Sequence, residues 1–145
     1  MTTPGDRQYC RRVITIEDVE GERWPEPGEG STPLVTRCHA LRRKSLTEFT
    51  VEDLRIMIGQ QIAISVLLPL AVDALVADPL AEGDYYPGDL LSVVLRLPDP
   101  TWLGFQSDRQ RLVGVLTALA DSTDDVDRAV EVAGLIARFL RRSSE

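Results

Sequence analysis

Apolar residues recur at helical spacing along most of this 145-residue chain and predict an all-α protein. Residues 62–77 are apolar on every side, which is typical of a buried central helix. Pro69 lies within this segment and predicts either a kink or a later helix start at Ser65. We therefore expect a compact single-domain bundle of about five to seven helices built around this segment.

Capping residues and first-turn prolines predict where the other helices begin. They are Thr15, Ser31 or Thr32 before Pro33, Thr50 in a capping box with Asp53, Pro87, Ser107 in a capping box with Gln110, and Thr123. The helix after Thr15 is short, and residues 13–16 alternatively form one short β-strand, because four residues are too few for periodicity to decide.

The last predicted helix has acidic residues in its first turn and Arg138, Arg141 and Arg142 in its last, which matches the helix dipole at both ends. Its predicted inward face consists of Val126, Val130, Ala133, Ala137 and Leu140. The apolar group Trp102, Leu103 and Phe105 is expected to close one end of the core.

The length of the chain fits one domain, which we place at residues 13–142 after a flexible tail at residues 1–12. The longest apolar run is interrupted by Ser65 and Pro69 and is shorter than the roughly 20 residues of a membrane span. The polar N-terminus lacks the apolar segment of a secretory signal, so we expect a cytoplasmic protein. Cys10 and Cys38 belong to no metal or redox motif and are expected to be ordinary thiols.

The formal net charge of -7 argues against nucleic acid or an anionic membrane as a direct partner, because both require a basic surface. A basic protein partner is compatible with this charge. The alternative is that the charge only keeps the protein soluble.

Two acidic segments stand out along the chain. No Lys or Arg occurs between Ile56 and Leu95, so the carboxylates there are expected to lack a nearby cation and to face water or a basic partner; they are Asp73, Asp78, Glu82, Asp84 and Asp89. A second segment, residues 17–29, carries six carboxylates and one arginine. It is either a solvated loop or a partner of the basic residues Arg37, Arg42, Arg43 and Lys44.

Residues that would support catalysis are scarce. His39 is the only histidine, and neither Cys38 beside it nor any serine in a nucleophile-elbow motif completes a triad. Nucleotide-binding glycine motifs are absent. Asp84 and Asp89 could in principle act as acid and base, but no pocket signal accompanies them. We therefore expect a protein that is not an enzyme and that uses no cofactor and no metal.

Four stretches of the sequence are similar to a known family: residues 45–55, 58–60, 68–71 and 78–91, the last containing Gly-Asp-Tyr-Tyr-Pro-Gly-Asp-Leu-Leu. These stretches resemble the sequences of immunity proteins of bacterial contact-dependent growth inhibition (CDI) systems, and the resemblance covers about residues 31–103. The resemblance implies a cytoplasmic protein that binds the C-terminal toxin domain of a cognate effector without catalysis. Many such toxin domains are nucleases with basic grooves.

The resemblance and the charge pattern together predict a toxin-binding surface made of Glu82, Asp84, Tyr85, Tyr86 and Asp89, with Glu20 and Glu22 in the second acidic segment. The alternative is structural: Tyr85, Pro87 and Leu90 would pack the loop, and Asp84 or Asp89 would cap a helix. We expect a monomer or weak dimer that makes no direct contact with nucleic acid or membrane. A helical adaptor with a constitutive cellular partner is the alternative function, and a carboxylate-dependent hydrolase is a more distant one.

Overall fold

A computed structural model describes residues 14–122 and 129–143. These residues form seven α-helices, two short 3₁₀ helices and no β-strand. The all-α prediction is therefore confirmed. Contacts between residues divide the chain into two compact units, Met1–Phe49 and Thr50–Glu145. The single domain at residues 13–142 stays a prediction. The predicted tail at residues 1–12 lies outside the described residues.

The N-terminal unit contains α1 (Ile16–Glu20), α2 (Pro33–Leu41) and a 3₁₀ helix (Leu46–Glu48). Thr15 caps α1 in a full capping box with Asp18, so residues 16–20 are helical and not extended. Thr32, rather than Ser31, caps α2 by accepting the N–H of Val35. Ile16, Cys38 and Leu41 are buried, whereas Leu34 at the start of α2 is exposed.

The C-terminal unit contains five α-helices: α3 (Val51–Gly59), α4 (Ile64–Ala77), α5 (Asp89–Leu95), α6 (Gln106–Asp121) and α7 (Ala133–Ser143), with a 3₁₀ helix at Asp99–Gly104. The central position of α4 follows from its packing against α3, α5 and α6. Pro69 lies inside α4, which begins at Ile64 rather than at Ser65. Five α4 side chains are fully buried, namely Leu67, Leu68, Ala71, Val72 and Leu75.

The turn between α3 and α4 has an unusual backbone. Gln61 and Ala63 both adopt positive φ angles, of 56° and 55°. Residues other than glycine rarely adopt this left-handed conformation, because the Cβ atom approaches the backbone. The sequence contains no glycine at either position, so the turn was not predicted.

Three sequence-based predictions about the last third of the chain are wrong. Ser107 does not cap α6, which begins at Gln106 without a side-chain cap. Trp102 is buried as predicted, but Leu103 is 75% exposed. The predicted inward face of the last helix is wrong for Val130, Ala133 and Ala137, which are exposed, because residues 129–132 form a turn and the buried residues are Val132, Ile136 and Phe139. Val126, also predicted to face inward, lies outside the described residues. The predicted cap Thr123 lies outside the described residues.

Candidate functional site

The segment between α4 and α5 folds into a tight loop whose tip, residues 82–86, is here called the acidic loop. Its ends are joined by an isolated antiparallel bridge between Glu82 and Pro87. The backbone N–H of Gly88 also donates to Leu80 O at 3.2 Å, and the N–H of Asp89 donates to Tyr86 O at 3.0 Å. The loop is therefore closed by its own backbone before any side chain is considered.

Asp89 holds the acidic loop from inside the protein. Its side chain is 2% exposed, and its two carboxylate oxygens accept the backbone N–H groups of Gly83 at 2.7 Å and Tyr85 at 3.1 Å. The expectation that Asp89 faces water is therefore wrong, because these two hydrogen bonds compensate for its burial. Asp89 is also not a helix cap, since it is the first residue of α5 and bonds back into the loop.

Glu52 on α3 supports the same loop from a neighbouring helix. Its Oε1 atom accepts the backbone N–H of Asp84 at 3.0 Å, although the two residues are 32 positions apart. Arg55 binds both oxygens of Glu52, with Nε–Oε1 at 2.6 Å and Nη2–Oε2 at 2.5 Å. This hydrogen bonding to Glu52 is the main cause that raises the pKa of Arg55 above its usual value, so the guanidinium remains charged.

Arg55 is the cation that the sequence pattern appeared to lack. Its Nε lies 4.0 Å from Asp89 Oδ2, and its guanidinium carbon lies 4.4 Å from the centre of the Tyr85 ring. Asp73 also has a cation, Arg111, at 2.8 Å. The expectation that the carboxylates of residues 73–89 lack a nearby cation is therefore wrong for Asp73 and Asp89. Arg55 directly precedes the cation-free segment 56–95, whereas Arg111 lies farther along the chain, on α6.

Gly83 is required by the close approach of these carboxylates. A Cβ atom at this position would overlap Glu52 Oε1 and would lie 3.0 Å and 3.3 Å from the two oxygens of Asp89. The glycine therefore allows two acidic side chains from different helices to reach the backbone of one short loop.

The remaining predicted residues of the loop lie at its surface. Glu82 and Asp84 are exposed, and Tyr85 is 69% exposed, while Tyr86 is half-buried. Within residues 14–122 and 129–143, the carboxylates of Glu82 and Asp84 have no hydrogen-bond or ion-pair partner. The loop thus presents two carboxylates and one aromatic ring on a fixed backbone.

Glu20 and Glu22 belong to the N-terminal unit and take part in a different cluster. Arg42, which is 1% exposed, donates to Glu20 Oε1 at 2.5 Å and to the backbone oxygen of Glu22 at 2.8 Å. The Trp24 ring lies 4.2 Å from the Arg42 guanidinium carbon. Residues 17–29 therefore pair with a basic residue at the C-terminal end of α2, which is one of the two alternatives that the sequence left open. Because of this pairing, Glu20 is less available to a partner than Glu22.

The exposed groups of the acidic loop can pair with cations and pack against another molecule. Throughout the described residues, no group of three or more His, Cys, Asp or Glu side chains could hold a metal ion. Those residues also contain no helix with the length and apolar character of a membrane span.

The sequence predicted the loop as a candidate site but did not predict the roles of Glu52 and Arg55. Their spacing of three residues on a predicted helix was a signal for an ion pair.

Comparison with protein families supplies the remaining observation. A family model described as CDI immunity proteins matches residues 18–112, which include the end of α1, all of α2 to α5, the acidic loop and the first turns of α6. No significant match was found among curated proteins or among solved structures. Because the family match covers more than half of the chain, the protein belongs to the family of contact-dependent growth inhibition immunity proteins.

Proposed function

We propose that this protein neutralises the C-terminal toxin domain of a cognate CDI effector by binding it directly in the cytoplasm. The observation that carries the proposal is the family match over residues 18–112. Binding without catalysis also suits the described residues, which present fixed charges and an aromatic ring but no candidate metal cluster. The complex would be one-to-one and would bury roughly 1,600 Å² of total surface.

The acidic loop is the proposed contact surface, through Glu82, Asp84 and Tyr85. Asp89 and Glu52 hold the loop backbone in place. A loop that is already ordered loses little conformational entropy on binding, so more of the contact energy is available for affinity. Tyr85 adds a rigid aromatic contact because Arg55 lies against one face of its ring.

The proposed toxin is a nuclease with a basic substrate groove. Such a groove binds phosphates through its positive charge. A surface with unpaired carboxylates is therefore electrostatically complementary to it. The net charge of -7 would also attract a basic partner over a distance. Asp89 would act through the loop that it positions, and Tyr86 would complete the edge of the contact.

The N-terminal unit supplies a second proposed contact through Glu22. Its side chain is exposed, whereas Glu20 is held by Arg42. Glu20 would therefore contribute to toxin binding mainly by holding the backbone of this segment.

Co-expression tests the proposed function. The toxin domain encoded beside this chain should arrest growth when produced alone, and the wild-type protein should restore growth. Continued arrest in the presence of soluble wild-type protein would contradict neutralisation. A purified, catalytically inactivated toxin domain then allows the dissociation constant to be measured by calorimetry.

The surface is tested with a charge-reversal pair, Glu82→Lys with Asp84→Lys. We expect the dissociation constant to increase by more than about tenfold, because attraction becomes repulsion. The matched control is Glu48→Lys with Asp121→Lys, which changes the net charge equally at two other exposed carboxylates. Circular dichroism should show that both variants are folded. If the two variants bind the toxin domain with equal affinity, the acidic loop is not part of the interface.

A further inference from the structure

Two shallow clefts meet at the C-terminal end of α5. The larger has a volume of about 150 Å³ and is lined by residues 95–99 together with Leu135, Arg138, Phe139 and Arg142. The smaller has a volume of about 90 Å³ and is lined by Ile58, Gly59, Gln61, Val93, Arg96 and Leu97. Arg96 and Leu97 line both clefts, so the two clefts adjoin, and together they are here called the basic groove.

The charge of the basic groove is opposite to that of the protein as a whole. Its larger cleft contains three arginines and one carboxylate, Asp99. Asp99 is already paired, with Arg142 at 2.6 Å and with Arg109 at 3.7 Å. In the part of the chain that the structure describes, Arg96 and Arg138 have no ion-pair or hydrogen-bond partner. The groove therefore offers two guanidinium groups to an anionic ligand.

Apolar residues line the groove between its charged side chains. Leu97 and Phe139 are each 6% exposed and form its floor, while Val93 and Ile58 line the smaller cleft. Gln61, a non-glycine residue with a positive φ of 56°, is part of the lining of this smaller cleft. Strained backbone of this kind often occurs where a ligand is held. Such a surface suits an extended chain that carries both acidic and apolar side chains.

The basic groove and the acidic loop lie at opposite ends of the same pair of helices. At one end, Glu52 on α3 lies beside Gly83 and Asp89, and at the other end Gly59 faces Val93 of α5. The two helices therefore run side by side in the same direction. The seven residues of α5 span only about 10 Å. An interface of roughly 800 Å² per partner is wide enough to include both ends.

We propose that the basic groove binds an acidic, extended segment of the cognate toxin domain, whose carboxylates pair with Arg96 and Arg138. This inference rests on the proposed function and adds a second contact of opposite charge. The acidic loop would face a basic surface of the toxin, and the groove would face an acidic one. A bipolar interface of this kind rejects toxins that match only one of the two charges.

The experiment measures binding of the inactivated toxin domain to the full-length chain by calorimetry. The test variants are Arg96→Glu and Arg138→Glu, and the control is Arg37→Glu, an exposed arginine on α2 with the same change of charge. We expect each test variant to weaken binding by at least about tenfold, and the control to remain within about twofold of wild type. Circular dichroism and thermal melting should confirm that all three variants are folded.

The outcomes distinguish this inference from the proposed function. Wild-type affinity in both test variants would overturn the groove proposal while the wild-type complex still supports neutralisation. Absence of binding by the wild-type protein would overturn both. A duplex DNA oligonucleotide that binds the wild-type protein but not Arg138→Glu would assign the groove to nucleic acid phosphate and would also overturn the proposal.

Discussion

The carboxylate of Asp89 accepts a hydrogen bond of 2.7 Å from the backbone N–H of Gly83, six residues before it in the sequence. With Glu52, which bonds the N–H of Asp84 at 3.0 Å, it divides the acidic residues of this region into two groups. The buried carboxylates fix the loop backbone, and the exposed carboxylates of Glu82 and Asp84 remain available to a partner. The buried carboxylates of Asp89 and Glu52 therefore fix the position of the exposed carboxylates.

The first prediction concerns the space at Gly83. We expect Gly83→Ala to lower the free energy of unfolding by about 1–3 kcal/mol, because the added Cβ would overlap Glu52 Oε1 and force the loop to move. Urea denaturation provides the measurement. The control is Gly114→Ala in the exposed part of α6, where no atom lies near the added Cβ, and it should be neutral or stabilising by up to about 1 kcal/mol. Equal stability of the two variants would contradict the close approach.

The second prediction concerns the charge of Asp89. We expect Asp89→Asn to destabilise the protein by about 1–3 kcal/mol, since the amide NH₂ would face a backbone N–H that needs an acceptor. Asp84→Asn is the matched control, and it should change stability by less than about 0.5 kcal/mol because its carboxylate is exposed. Thermal melting followed by circular dichroism compares the two. A larger loss for Asp84→Asn would reverse the assigned roles.

Local sequence signals predicted much of the fold, because helix caps and apolar spacing act within a few residues. Thr15, Thr32 and Thr50 cap their helices as predicted or as one of two stated alternatives. Long-range contacts were not predictable in this way. The bond between Glu52 and the loop joins residues 32 positions apart, and the ion pair between Arg55 and Asp89 also joins distant parts of the sequence. The acidic loop was therefore found, but the division of its carboxylates into buried and exposed groups was not.

The third prediction concerns Arg42 in the N-terminal unit. Arg42→Ala should destabilise this unit by about 1–3 kcal/mol, because it removes the hydrogen bonds of the buried guanidinium to Glu20 and the Glu22 backbone and its packing against Trp24, while the remaining Glu20 carboxylate is partly exposed. Hydrogen exchange by mass spectrometry should show faster exchange in peptides from residues 14–49. Arg111→Ala, which breaks the exposed pair with Asp73, is the control and should cost less than about 1 kcal/mol. Unchanged exchange in Arg42→Ala would contradict the structural role of this cluster.

The fourth prediction concerns the thiol of Cys38, which is 4% exposed on α2. Burial raises the pKa of this thiol, and the nearby positive charge of Arg37 lowers it by a smaller amount. Since the thiolate is the reactive form, a Cys10→Ser variant should react with a disulfide reagent at least about tenfold more slowly in buffer than in urea. Equally fast labelling in buffer would show that Cys38 is accessible.

The same pKa shift predicts how stability depends on pH. In the unfolded chain the pKa of the thiol is about 8.5. In the folded protein the pKa is higher, so the thiol keeps its proton to higher pH. The folded state then binds more protons, so the free energy of unfolding should fall as the pH rises from about 8 to 9.5. Urea denaturation of Cys10→Ser across this range measures the decrease, and Cys10→Ser with Cys38→Ala should show less of it. An identical pH dependence in both variants would mean that other groups cause the decrease.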